Sequence, residues 1–155
     1  MDTAEIRRIL PHRFPMLLID RVESLVPGDS LIATKAVTAN EPCYAGLPEE
    51  ATDYSYPATL LIESWCQAAG VLAVHGTPNP DVLAGRVTLF GAISRIEVLA
   101  PVRPGDQVTH HVRALKLLSD AAVFTGESTV ADVPVLRVGQ VIIALRESAE
   151  LRSPA

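Results

Sequence analysis

Glu63 is the side chain in this sequence that is best suited to acid–base chemistry. It lies in the first third of the most apolar segment of the chain, Pro57–Gly76, where a carboxylate must be paired, hydrogen-bonded or neutral. Because burial raises the pKa of a carboxyl group, we expect an elevated pKa and a role as general acid or base near neutral pH. Thr59 and Gln67 lie one helical turn before and after Glu63 and could orient its carboxylate. The alternative is a glutamate that reaches solvent near the helix start, where the helix dipole favours an anion.

The histidines are weaker candidates for chemistry. His12 lies in a turn between a short helix and a strand, and we interpret it as structural. His75 closes the apolar helix, where a cation complements the C-terminal end of the helix dipole. His110 and His111 are adjacent on a predicted strand, so they point to opposite faces of the sheet and cannot bind one metal ion together.

Neither cysteine belongs to a recognisable site. Cys66 lies on the apolar helix and is interpreted as a small core residue, whereas Cys43 lies in a loop with no base beside it in the sequence. The sequence contains no CxxC or CxxH pair, no glycine-rich phosphate loop and no G-x-S-x-G motif. We therefore expect no metal site and no bound cofactor.

The segment Pro57–Gly76 is the element that must position Glu63. Proline suits the first turn of a helix and glycine suits its exit, and the residues between them are apolar on almost every face. A helix of this kind is surrounded by the rest of the protein. Strands are predicted at Met16–Val26, Leu31–Val37, Arg86–Leu99, Gln107–Leu118, Ala121–Val130 and Val135–Glu147. The pattern therefore predicts an α+β fold in which a long central helix is wrapped by a curved antiparallel sheet of about six strands.

Length and composition narrow the class of protein. A chain of 155 residues predicts a single domain over positions 1–155. The net charge of −5, with scattered lysines and arginines, argues against nucleic-acid binding. No signal peptide and no apolar run of about 18 residues is present, so we expect a cytoplasmic protein without a membrane partner. Open sheets have edge strands that a second copy can cover, which favours a dimer.

Four segments of the chain resemble the signatures of one enzyme family. They read LPHRFPMLLIDRV (Leu10–Val22), NEPCYAG (Asn40–Gly46), IESWCQAAG (Ile62–Gly70) and VLAPVRPGD (Val98–Asp106). In type and order they are similar to motifs of the 3-hydroxyacyl-acyl carrier protein dehydratases (FabZ/FabA-like) of type II fatty acid synthesis. The resemblance implies a hotdog fold that works as a dimer or trimer of dimers. It also implies that Glu63 is the catalytic acid and that Gln67 is the glutamine one turn later.

One catalytic position departs from the family pattern. Family members carry G-H-F-P after the N-x-P-F-F-x segment, and the histidine is their catalytic base, whereas here Gly46 is followed by Leu47. The stretch from Gly46 to Glu63 is also two residues longer than the family spacing, and the usual P-G at the helix start is Pro57-Ala58. The resemblance thus implies a site with the acid but without the base, in which Gly46, Pro57, Ala58 and Gln67 contact substrate.

Several functions fit this half-complete site. The first is a dehydratase-like subunit, inactive alone, that completes a site with a histidine-bearing paralogue and acts on acyl-carrier-protein thioesters in fatty acid or polyketide assembly. The second is a thioesterase that uses Glu63 to activate water. The third is a non-catalytic acyl-binding or scaffold protein. The fourth is a dehydratase with a base relocated to the loop residues Asp53–Tyr56.

Overall fold

The computed structural model describes residues 1–151 and contains two α-helices and one six-stranded sheet. All strand pairs are antiparallel, in the order β1-β2-β4-β5-β6-β3. This arrangement confirms the predicted fold class. The elements are α1 (Thr3–Ile9), β1 (Arg21–Val26), β2 (Ser30–Ala36), α2 (Ala58–Val74), β3 (Arg86–Val98), β4 (Gln107–Leu117), β5 (Ala121–Val130) and β6 (Val133–Glu147).

Helix α2 forms the centre of the core. It has 17 residues, with Pro57 at its N-cap and His75 at its C-cap, so it is slightly shorter than the predicted segment. It packs against β2, β4, β5 and β6. Its apolar residues on several faces are buried because the sheet curves around it. Among them are Leu61, Trp65, Cys66, Ala68, Ala69, Val71, Leu72 and Val74.

The first predicted strand begins later than expected. Five strands lie within two residues of their predicted bounds, but β1 begins at Arg21 rather than Met16. The Gln67 amide explains the difference, because its Nε2 donates to Met16 O at 2.7 Å and its Oε1 accepts from Leu18 N at 2.9 Å. These bonds occupy backbone groups that a strand would direct to its neighbour. The segment before Arg21 is therefore irregular and tied to α2.

Strand β3 presents an open edge. It is 13 residues long and pairs with β6, and within residues 1–151 its other edge has no strand beside it. Leu89, Phe90 and Ile93 on this strand are each more than a third exposed. A long edge strand with apolar side chains is a surface on which a second chain can pair.

The described part of the chain ends in a short helix that is attached to the sheet. Ser148–Leu151 forms a short 3₁₀ helix, tied to the sheet by a bond from Ser148 N to Gly85 O. Positions 152–155 of the predicted domain lie outside the described residues. None of the helices within residues 1–151 has the length and apolar character needed to cross a membrane.

Candidate functional site

Glu63 lies in the second turn of α2 with its carboxylate half-buried. Its Oε1 accepts a hydrogen bond from Gln67 Nε2 at 3.0 Å and lies 3.3 Å from His12 Nε2. The side chain is 29% exposed, and Oε2 has no hydrogen-bond partner among the described residues. One carboxylate oxygen is therefore held by the protein and the other is open. Thr59, which was expected to help orient the carboxylate, is exposed in the first helical turn instead.

Gln67 links Glu63 to the segment that follows α1. The side chain has no exposed surface, and both amide hydrogens are used, one by Met16 O and one by Glu63 Oε1. The amide oxygen accepts from Leu18 N. The hydrogen-bonding groups of the Gln67 side chain are thus occupied within the protein, and its contact with substrate stays a prediction.

The pKa of Glu63 is lowered, contrary to the expectation from sequence. Burial acts to raise this pKa, but the donors on Gln67 and His12 and the charge that His12 can carry together outweigh burial. Glu63 is consequently a carboxylate at neutral pH. It is therefore better suited to accept a hydrogen bond or a proton than to donate one.

His12 is a neighbour of Glu63 that sequence reasoning did not identify. It was interpreted as structural, yet its Nε2 points at the Glu63 carboxylate while its Nδ1 is buried with no partner in the described structure. The sequence contained only an indirect indication. A carboxylate on a helix that is surrounded by the protein needs a hydrogen-bond donor from another element. Nothing in the sequence showed that the turn after α1 would supply it.

The start of α2 offers free backbone donors. Pro57 has no N–H and makes no side-chain cap, and its carbonyl accepts from Leu60 N and Leu61 N. The amides of Ala58 and Thr59 have no acceptor within residues 1–151, and the first turn has no acidic residue. Free amides at a helix start can stabilise negative charge on a substrate oxygen. The donors next to Pro57 are therefore those of Ala58 and Thr59.

The loop between β2 and α2 carries Leu47, at the position where the family resemblance leads us to expect a histidine. Leu47 is 38% exposed there, and its N–H donates to Tyr44 O. The preceding Gly46 is exposed, and a Cβ at this position would meet no atom within 4 Å. The role of Gly46 in substrate binding stays a prediction.

The same loop is anchored by a buried ion pair. Lys35 Nζ on β2 lies 3.0 Å from Glu41 Oε1 and 5.0 Å from the centre of the Tyr56 ring. Lys35 is 4% exposed. These contacts fix the first and last parts of the loop to the sheet, on either side of Leu47.

Two loop residues that could have replaced the histidine are poor bases. Burial, reinforced by the charge of Glu41, holds the pKa of the Tyr56 hydroxyl far above its usual range, so it does not form a phenolate near neutral pH. Asp53 is fully exposed, and hydrogen bonds from Ser55 lower its pKa. The directions of these pKa shifts therefore favour neither Asp53 nor Tyr56 as a relocated base.

The adjacent histidines on β4 occupy different environments, as their alternation predicts. His110 is completely buried between two serines, with Nε2 2.9 Å from Ser64 Oγ and Nδ1 2.8 Å from Ser128 Oγ. Because the Ser64 hydroxyl donates to Leu61 O, Nε2 of His110 carries the hydrogen and Nδ1 accepts from Ser128. Burial lowers the pKa of His110 to about 3. This neutral histidine contacts α2 at Ser64, the residue after Glu63.

Comparisons with known proteins agree with this architecture. A family model described as a FabA-like domain matches residues 10–145. The 3-hydroxyacyl-acyl-carrier-protein dehydratase FabZ of Campylobacter hominis is 42% identical to this chain over 133 residues, which are 85% of this chain and 89% of that protein.

Solved structures show the same fold at low sequence identity. A chain of the dehydratase heterocomplex ApeI:P from Xenorhabdus doucetiae superposes with a TM-score of 0.76 at 16% identity, covering 94% of this chain and 93% of that chain. A hot-dog-like protein from Thermanaerovibrio acidaminovorans gives 0.62 at 19% identity, covering 82% and 87%. Since the family model spans most of the sequence and the FabZ relative is similar along nearly its whole length, this chain belongs to the FabA-like family and has the hotdog fold.

Proposed function

We propose that this protein is the carboxylate-bearing, histidine-lacking subunit of a heteromeric 3-hydroxyacyl-acyl-carrier-protein dehydratase. One observation supports the proposal above the others. Glu63 is held at Oε1 and leaves Oε2 without a partner among the described residues, while position 47 carries a leucine that cannot act as a base. A positioned carboxylate on the same helix as free N-terminal amides supplies part of what a dehydration site needs. The remaining part, a base, must then come from another chain.

The chemistry of dehydration assigns a role to each group. The histidine of the partner subunit removes the proton next to the thioester carbonyl, and the Ala58 and Thr59 amides stabilise the enolate oxygen that forms. Glu63 Oε2 accepts a hydrogen bond from the 3-hydroxyl group of the substrate and orients it. As the carbon–oxygen bond breaks, the imidazolium of the partner returns its proton to the departing oxygen. Water and a 2-enoyl thioester result, and the histidine is neutral again.

The lowered pKa of Glu63 supports one of two versions of this step. In the sequence-based interpretation Glu63 donated the proton to the hydroxyl group, but a carboxylate that is ionised at neutral pH has no proton to donate. Orientation of the hydroxyl by Glu63, with one histidine moving the proton, requires no protonated glutamate.

The open edge of β3 supports assembly with a second chain. Pairing at this edge would cover Leu89, Phe90 and Ile93 and bring two sheets together. The name of the ApeI:P structure describes a dehydratase heterocomplex, which supports the idea that chains of this fold assemble with unlike partners. A heterodimer with a histidine-bearing paralogue is our first choice; a homodimer and a trimer of dimers are the other arrangements that fit the resemblance. A cytoplasmic location and a single domain over positions 1–155 are part of this proposal.

Thioester hydrolysis is the second candidate, and the ionised state of Glu63 favours it. A carboxylate near free helix amides can take a proton from water while the amides stabilise the tetrahedral oxyanion. Release of free thiol from an acyl thioester by the lone protein, abolished by Glu63→Gln, would select this function over dehydration.

The test of the proposed function is reconstitution. The protein is mixed with a family member that carries the G-H-F-P histidine, and formation of the 2-enoyl thioester is followed for each protein alone and for the complex. We expect Glu63→Gln in this chain to reduce turnover at the shared site by a factor of about 10² or more. A complex whose activity is unchanged by Glu63→Gln would contradict the proposal. Binding of acyl thioesters without turnover in any mixture would indicate the non-catalytic role.

A further inference from the structure

The two oxygens of the Glu63 carboxylate have unequal surroundings. Gln67 Nε2 and His12 Nε2 both approach Oε1, at 3.0 and 3.3 Å, and Oε2 is left without a partner in the described part of the chain. A carboxylate that accepts a hydrogen bond from Gln67 and meets the His12 ring nitrogen at the same oxygen is restricted in its rotation about the terminal torsion. The free oxygen then has one direction in which to meet a ligand.

His12 is built to hold this carboxylate rather than to react. Its Nδ1 is buried and has no partner within residues 1–151, so this nitrogen cannot reach a substrate. Its Nε2 faces Glu63, and the side chain is 26% exposed. With one nitrogen enclosed and the other directed at a carboxylate, the ring has no free nitrogen with which to remove a proton from a substrate.

The turn that carries His12 is fixed by its own contacts. Arg13 Nη1 donates to Leu10 O at 2.8 Å and to His12 O at 2.7 Å, which closes the turn after α1. Gln67 holds the next part of this segment through Met16 and Leu18. The imidazole is therefore presented to Glu63 from a backbone that is fastened on both sides.

We infer that His12 is a positioning residue whose Nε2–H holds Oε1 of Glu63, so that Oε2 alone faces the hydroxyl group of the thioester substrate. This role rests on the proposed function, and it extends the site from α2 to the turn after α1. Gln67 provides the second donor and continues to hold the carboxylate when His12 is replaced.

Among the described residues, His12 is the titratable group whose charge acts on the pKa of Glu63. His12 acts on it from the turn, and Cys66 lies next to it on α2, where burial and the charge of Glu63 raise the pKa of the thiol to about 12. Cys66 is thus neutral over the range in which a carboxylate titrates. A titration of Glu63 will therefore reflect the effects of burial, His12 and Gln67 on its pKa.

The first arm of the experiment measures this titration directly. The Glu63 side-chain carboxyl is followed by ¹³C NMR in wild type, His12→Leu and His12→Gln, with Glu63→Gln used to assign the signal. Glutamine can place an amide N–H near the Nε2 position of histidine, whereas leucine has no donor. We expect His12→Leu to shift the titration to higher pH and His12→Gln to restore most of the difference. Superimposable curves in all three proteins would overturn the inference, whether or not the protein is a dehydratase.

The second arm measures turnover in the reconstituted complex. His12→Leu is expected to lower kcat by up to about 100-fold, with a smaller change in KM, and His12→Gln is expected to recover much of the loss. His75→Leu, at the far end of α2, is the matched control and should leave both constants unchanged. Equal kcat in wild type and His12→Leu would also overturn the inference. If no mixture dehydrates substrate, the proposed function fails while the NMR arm still decides the role of His12.

Discussion

Buried His110 predicts a loss of stability in mild acid. The histidine is neutral in the folded protein because it is fully enclosed, with its pKa lowered to about 3. In the unfolded chain its pKa returns to about 6.5. Since the folded-state pKa is the lower of the two, the unfolded state binds the proton first. The contribution of His110 to stability is therefore complete above about pH 6.5 and is lost as the pH falls toward about 3.

The size of this effect follows from the difference between the two pKa values. Each pH unit below about 6.5 costs about 1.4 kcal/mol, so the free energy of unfolding falls by about 2 kcal/mol between neutral pH and pH 5. The pKa of the Glu63 carboxyl is lowered in the folded protein, so its contribution to stability is lost as the pH falls from the ordinary glutamate pKa of the unfolded chain, about 4.3, toward the lower folded-state value. The window from about pH 6.5 to 5 is thus specific to histidine.

The assay is urea unfolding at a fixed protomer concentration, for wild type and His110→Gln, at about pH 7.5 and pH 5. Glutamine can keep a donor and an acceptor between Ser64 and Ser128 but does not titrate. We expect His110→Gln to be the less stable protein at neutral pH and to lose about 2 kcal/mol less than wild type on acidification. His111→Gln, on the opposite face of β4, is the matched control and should retain the wild-type slope. Equal acid sensitivity of wild type and His110→Gln would refute a buried neutral His110.

Three further results are expected. Light scattering at micromolar concentration should give at least twice the mass of one chain, because β3 leaves an apolar edge open, and a single-chain mass would contradict the proposed assembly. Glu63→Gln should change the free energy of unfolding by no more than about 1 kcal/mol, since the side chain is half-buried and an amide can still meet Gln67; a large fall in Tm with unchanged activity would make Glu63 structural. Gly126→Ala should destabilise the fold by about 3 kcal/mol or more, as a Cβ there would overlap the His111 carbonyl oxygen and lie 3.1 Å from Trp65 Cζ2. A neutral effect in urea unfolding would contradict this expectation and show that β5 can shift away from both β4 and Trp65.

The fold could be predicted from the sequence because its main signals are local. The almost completely apolar segment at Pro57–Gly76 indicated a wrapped helix, and alternating apolar residues with short turns indicated the strands. The exception, the late start of β1, arose from Gln67, whose amide reaches Met16 and Leu18 from a distant part of the chain. The pattern of apolar residues cannot predict such a long-range hydrogen bond.

The candidate site was predicted only in part for the same reason. Glu63 could be identified because a carboxylate in an apolar helix is unusual, and burial alone suggested a raised pKa. The opposite direction results from two donors, and one of them, His12, comes from a turn far away in the sequence. Similarly, alternation placed His110 and His111 on opposite faces, but the serines that enclose His110 lie on α2 and β5. The pKa of Glu63 and the enclosure of His110 both depend on side chains that are distant in the sequence, and residue spacing does not reveal such partners.

The most direct test of the central claim is the dehydration rate of the isolated wild-type protein on a 3-hydroxyacyl-carrier-protein thioester. Leu47 offers no base, and the pKa shifts of Asp53 and Tyr56 favour neither residue as a substitute. We expect a rate lower by a factor of about 10²–10⁴ than that of the complex with a histidine-bearing partner. Turnover by the lone chain at the rate of the complex would contradict the account.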